Sequence, residues 1–108
     1  MILKKITYTP NLAIHPGETL KENLEFLKIT NKELSTRTGL TEKHISQIIN
    51  GEAGITADTA IKLEKATGTD ALFWNNLQAN YEIILSQIKA KENILQEIKL
   101  SEKYNYLE

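Results

Sequence analysis

The chain has no cysteine. That excludes a disulfide framework and a thiolate metal centre, and it suits a reducing compartment. Long apolar runs are missing too. No stretch approaches the roughly 18 apolar residues that a membrane helix needs. The first residues, MILKKITYTP, have no continuous apolar core and no small-residue cleavage site. A secretory leader is therefore not expected, and a cytoplasmic location is. Neither sign of charge dominates, the formal net charge being −1. Any attraction for nucleic acid must then come from a local patch, since fields are screened over about 8–10 Å. There are only two histidines, His15 and His44, far apart and with no HExxH pattern. A metal site is not expected. Ser35 and Ser46 have no evident activating base, so no catalytic residue and no cofactor are expected either.

What is present is enough for one folded domain: 108 residues, 41% of them hydrophobic. The periodicity is helical throughout. Pro16-Gly17 reads as a turn, with Pro16 and Glu18 also suiting the first turn of a helix. Leu20, Leu24 and Leu27 follow on one helical face. Thr30-Asn31-Lys32-Glu33 has the form of a capping box before a very short helix, and Gly39 stops that helix. Thr41 is the next N-cap, and Ile45, Ile48 and Ile49 make the apolar stripe behind it. Asn50-Gly51 ends this third helix. Thr56 caps a fourth, with Ala60 and Leu63 inward, ended by Gly68. Asp70 caps a fifth, which meets neither Gly nor Pro as far as the last residue. This helix is expected to exceed 25 residues or to break near Lys91-Glu92-Asn93. Phe73 and Trp74 are expected to anchor it in the core. The class is all-α, with five helices. Residues 1–14 form an arm, extended or with one short strand, 15–80 the domain, and 81–108 a helical extension whose tail KYNYLE is expected to fray.

The two short helices around Gly39 have the spacing of a helix-turn-helix. Leu34, Leu40, Ile45 and Ile48 would lock the pair, leaving the second helix free to enter a DNA major groove. Its outward set is Glu42, Lys43, His44, Ser46, Gln47 and Asn50. Gln47 suits adenine, Lys43 guanine and Glu42 cytosine. Thr30, Asn31 and Thr41 stand at helix starts, where free N–H groups favour a phosphate. Lys32 and Arg37 belong to a mildly basic stretch, Lys28 to Asn50, and with Asn50 complete the candidate phosphate contacts. A solvated, idle surface is the plainer account of the same residues.

The stretch from His15 to Tyr81 also resembles the HigA-type antitoxins of the XRE helix-turn-helix family. The resemblance is carried by His15-Pro16-Gly17-Glu18, by Gly39, Ile45 and Asn50-Gly51, by Gly54-Ile55-Thr56-Ala57, and by Phe73-Trp74-Asn75-Asn76-Leu77-Gln78. It implies a lambda-repressor-like fold, and a homodimer that binds a double-stranded DNA operator and represses its own operon. It also implies a partner, a HigB-like toxin that acts as a RelE-type mRNA endonuclease. Thr41 to His44, Ser46, Gln47 and Asn50 are then the DNA-facing set. The chain departs from the family pattern where basic residues are usual, with Glu42, His44, Glu52 and Ala53, and it has Ser35 where alanine is expected. Fewer basic contacts mean weaker DNA binding and a shallower salt dependence.

The fifth helix carries more apolar surface than four short helices cover. Tyr81, Ile84, Leu85, Ile88 and Leu95 are the expected dimer seam, placing two recognition helices one DNA turn apart. The alternative is a protein-interaction module in which the scaffold survives and DNA binding does not.

Overall fold

A computed structural model describes residues 12–106, with side chains as far as residue 102. The expected arm or strand at 1–10 lies outside what is described; of the tail KYNYLE, expected to fray, residues 103–106 continue the last helix, and 107–108 lie outside what is described. Among the described residues there are five helices: α1 Pro16–Leu27, α2 Asn31–Thr38, α3 Glu42–Ile49, α4 Ala57–Thr67 and α5 Ala71–Tyr106.

The starts are set by side-chain oxygens, with one exception. Thr30, Thr41 and Thr56 each accept from the backbone N–H three residues on, at 3.0–3.2 Å. Asp70 Oδ1 accepts from Leu72 N–H at 3.1 Å, and Glu64 Oε2 from Ala71 N–H at 3.1 Å. The exception is α1, whose cap is an imidazole: His15 Nδ1 accepts from Gly17 N–H at 2.9 Å. Pro16 and Gly17 are thus the first residues of α1 and not a turn before it. Proline is welcome there, because its missing N–H would have had no helical partner. Gly39 and Gly68 end α2 and α4 in the left-handed region. Lys28 does the same for α1 at φ 58°, a conformation that crowds its Cβ.

Residues 14–81 form one compact unit. Its core holds Leu20, Leu24, Leu34, Leu40, Ile45, Ile48, Ile55, Leu63 and Trp74, with Ala60 and Ala66 where helices approach closely. α3 packs on α1 and α2, and α4 on α2 and α1. Two expected core residues are elsewhere. Leu27, at the end of α1, is 37% exposed, and Phe73 is 43% exposed. Successive helical residues point about 100° apart, so Phe73 and Trp74 cannot both face inward. Trp74 takes the core, and Phe73 meets it edge to face at 5.4 Å.

Residues from Glu82 onward belong to a second unit. There α5 runs on without a break at Lys91-Glu92-Asn93, so the two-helix option is ruled out. Ile84, Leu85 and Ile88 are half-buried, while Ile83, Ile94, Leu95, Ile98 and Leu100 lie exposed. Among the described residues no helix is long and apolar enough to cross a membrane.

Candidate nucleic-acid interface

The α2–α3 corner is tied by hydroxyls as well as by glycine. Gly39 turns the chain at φ 81° and donates to Ser35 O at 2.9 Å. Ser35 Oγ donates to Leu40 O at 2.6 Å. Thr38 Oγ1 donates to Leu34 O at 2.7 Å and accepts from Leu40 N–H at 3.1 Å. Ser35 therefore uses its hydroxyl where an alanine would leave the Leu40 carbonyl bare. Neither Ser35 nor Thr38 is expected as a corner tie from the sequence reading above. The signal was there: two hydroxyls within one turn of a helix-ending glycine.

The tilt of α3 is set from its other end. A Cβ on Gly17 would lie 1.8 Å from the Ile48 carbonyl oxygen and 3.0 Å from Ile49 Cα. The start of α1 rests directly on the backbone at the end of α3. Glycine is needed here for close approach, not for its dihedral angles. Beyond α3 the chain folds back: Glu52 and Ala53 N–H both donate to Gln47 O, at 2.7 and 3.1 Å. Gly51, at φ 80°, lies under the His15 ring. Next, Ile55 N–H donates to Gln78 Oε1 at 2.8 Å, with Gly54 tight against the same amide. Two of the motif pieces, Gly54-Ile55 and Gln78, thus meet each other.

On this frame α3 turns Ile45 and Ile48 fully inward. Glu42, Lys43, Ser46 and Asn50 are exposed, and His44 and Gln47 half-buried. The Thr41 hydroxyl accepts from His44 N–H, and its own hydrogen is left to donate. At the start of α2, Thr30 and Lys32 are exposed and Asn31 is half-buried. Asn31 and Thr30 border a cleft of about 430 Å³ whose cations are Lys21 and Lys28. The first N–H groups of each helix have no partner within it, so both starts offer donors to an anion. Arg37 is differently placed. Its guanidinium bridges Glu33 at 2.9 Å and donates to Ala66 O at 3.2 Å, tying α2 to α4.

His15 Nδ1 can accept from Gly17 only while unprotonated. Burial holds the His15 pKa below its ordinary value, with Glu18 pulling the other way. The ring also stacks edge-on against Tyr81 at 4.9 Å. Among the described residues no cluster of potential metal ligands forms.

The helix-turn-helix family matches residues 20–74, with every element of this frame from Leu20 to Trp74 inside the match. Antitoxin HigA-1 of Vibrio cholerae is 41% identical over 71 residues, which is 65% of this chain and 67% of that one. The solved addiction module antidote protein of the HigA family from Coxiella burnetii is 41% identical. Its TM-score is 0.70, over 79% of this chain and 94% of that one. The chain belongs to the helix-turn-helix family, among the HigA antitoxins. A further HigA, that of Pseudomonas aeruginosa, was solved with the higBA promoter. It is 32% identical with a TM-score of 0.71, over 80% of this chain and 95% of that one. The HigA fold is thus the lambda-repressor-like, all-α arrangement described above, and its HigA-type landmarks coincide with the contacts around Gly17, Gly54 and Gln78.

Proposed function

We propose that this chain is a homodimeric autorepressor that reads operator DNA with α3 and neutralises a HigB-like toxin of the RelE-type endonuclease class. One observation carries the DNA reading. Ile45 and Ile48 are wholly buried, so Lys43, Ser46 and Gln47 can only face outward, on a helix whose two ends are pinned. Rigidity matters because a bidentate base contact is intolerant of tilt. Gln47 is half-buried, and its backbone carbonyl holds the following loop, so the backbone from which its amide projects is fixed. The amide suits adenine, and Lys43 suits guanine. Glu42 is a candidate for cytosine, with His44 and Ser46 beside it. Thr30, Asn31, Lys32, Thr41 and Asn50 position the backbone of the duplex, and they carry no sequence information themselves. Arg37, already held by Glu33 and Ala66 O, contributes field more than direct contact. The dimer is joined through the α5 face of Tyr81, Ile84, Leu85, Ile88 and Leu95. Support comes from the family and from the HigA solved with a promoter.

Anisotropy with the chain's own upstream DNA and a scrambled duplex tests this. Gln47→Ala should lose about 5- to 150-fold in affinity for the operator, the range of about 1–3 kcal/mol for one base contact, and little for scrambled DNA. Equal affinity for both duplexes would defeat the proposal.

A second reading is favoured by one feature. The Glu52 N–H bond to Gln47 O holds a carboxylate residue at the C-terminal end of the reading helix, while Glu42 stands at its start. In that reading the scaffold serves protein contacts only. Glu52→Lys discriminates: a DNA reader gains affinity and a steeper salt slope, by about 0.9 for one added phosphate contact. A module without DNA binding gains neither.

A further inference from the structure

Away from α3, the C-terminal half of α1 and the start of α5 leave an open cleft of about 430 Å³. Its lining is Thr19, Glu22, Asn23, Phe26, Thr69 and Phe73. None of these belongs to the DNA-facing set. Three features are unusual together. Phe26 is 84% exposed and Phe73 43%, so two aromatic side chains border the cleft with no apolar cover. Among the described residues the one charge in the lining is a carboxylate, Glu22, and no cation lines the wall. The Asn23 side chain also has a buried oxygen, Oδ1, with no hydrogen-bond donor, and its nitrogen holds Thr69 Oγ1 only at 3.5 Å. The terminal torsion of asparagine is broad, and turning this amide toward an incoming N–H gives up only the 3.5 Å contact with Thr69.

We infer that this cleft is a socket for an arginine side chain of a partner protein. The guanidinium is the group that satisfies all three features. It stacks on aromatic faces, pairs with a carboxylate through a planar fork, and has donors to spare for an amide oxygen. A purely apolar side chain would leave Glu22 and Asn23 uncompensated. A nucleic-acid phosphate would face Glu22 with no opposing cation. Lysine has the charge but not the fork. Phenylalanine and arginine are also both enriched in protein–protein interfaces relative to the rest of the surface. The inference rests on the toxin-neutralising reading for the partner's identity, and it assigns that partner's docking surface to the α1–α5 face, leaving α3 free for DNA.

The test uses the full chain co-expressed with the protein encoded beside it. Phe26→Ala and Glu22→Lys alter exposed side chains, so their thermal melts should match the wild type. Each should weaken the complex by at least tenfold, and should leave operator binding unchanged. A wild-type complex that both variants form equally well overturns the socket while leaving the toxin reading intact. Loss of self-association in Phe26→Ala, with partner binding kept, also overturns it, because the occupant is then a second copy. If the wild-type chain forms no complex, the toxin reading fails, and a titration of the labelled chain followed by NMR decides the socket. With acetyl-arginine amide, the Phe26 and Phe73 rings and the Asn23 side-chain amide should shift saturably, and Glu22→Lys should abolish the shifts. Acetyl-lysine amide should give clearly smaller ones. Equal responses to the two compounds overturn the inference.

Discussion

Gly17→Ala places one methyl group where the structure has no room. The new Cβ would be 1.8 Å from the Ile48 carbonyl oxygen, against a shortest tolerable approach of 3.0 Å. The start of α1 and the end of α3 must then part by about 1.2 Å. Neither neighbour is a flexible side-chain tip. Both are helix backbone, so the shift has to be shared by whole elements. Leu20 on α1 and Ile45 and Ile48 on α3, all fully buried, lose contact as the helices separate. Overpacking of this kind costs about 1–3 kcal/mol, and a clash against backbone belongs at the upper end. For a compact unit of this size, about 3 kcal/mol lowers Tm by roughly 12–24 °C. Urea unfolding followed by circular dichroism measures the loss directly, and the midpoint should fall with little change in slope. Gly54→Ala is the control. Its Cβ would meet the Gln78 side-chain amide at 3.0–3.2 Å, which needs to give by only a few tenths of an ångström while keeping its bond to Ile55 N–H, so the loss should be smaller. A Gly17→Ala variant melting within about 2 °C of the wild type would refute the reasoning, since a shift of that size corresponds to less than about 0.5 kcal/mol.

Two further outcomes follow from the helix ends. His15 caps α1 only while neutral, and burial lowers its pKa in the folded chain. Its contribution is therefore full above about pH 6.5, its unfolded value, and is lost as pH falls from there through the folded pKa. His15→Asn keeps a capping side chain without the titration, so the difference between the two melts should change between pH 7.5 and 5.5; parallel curves would exclude the cap. Lys28 ends α1 at φ 58°, so Lys28→Gly should raise stability by up to about 1 kcal/mol; a loss in thermal melts would show that the lysine stem supplies contacts worth more than the strain.

Much of this fold can be read before any coordinates, because its helix ends follow local rules. Thr30, Thr41 and Thr56 each serve an N–H three residues away, and Gly39 and Gly68 end helices within the same few residues. Such signals need no knowledge of the rest of the chain. The isoleucine stripe of α3 is legible for the same reason: Ile45 and Ile48 repeat at the helical period. What escapes is whatever depends on a second element. Pro16-Gly17 looks like a turn locally, and only the end of α3 shows that the glycine is there for clearance. Phe73 escaped for a simpler reason, since adjacent aromatic residues on one helix must diverge. The hydroxyl of Ser35 looked like a departure from a pattern until the Leu40 carbonyl appeared beside it.

The amide of Gln78 reaches back 23 residues to hold Ile55 N–H at 2.8 Å. Under the proposed autorepression, a genetic screen for lost silencing would therefore return changes at Gln78 alongside those at Gln47. Scored by phenotype alone, the two positions would be indistinguishable. Measuring how each variant ranks a set of altered operators would separate them: a slackened loop weakens every sequence alike, while a missing base contact erases preference at one position.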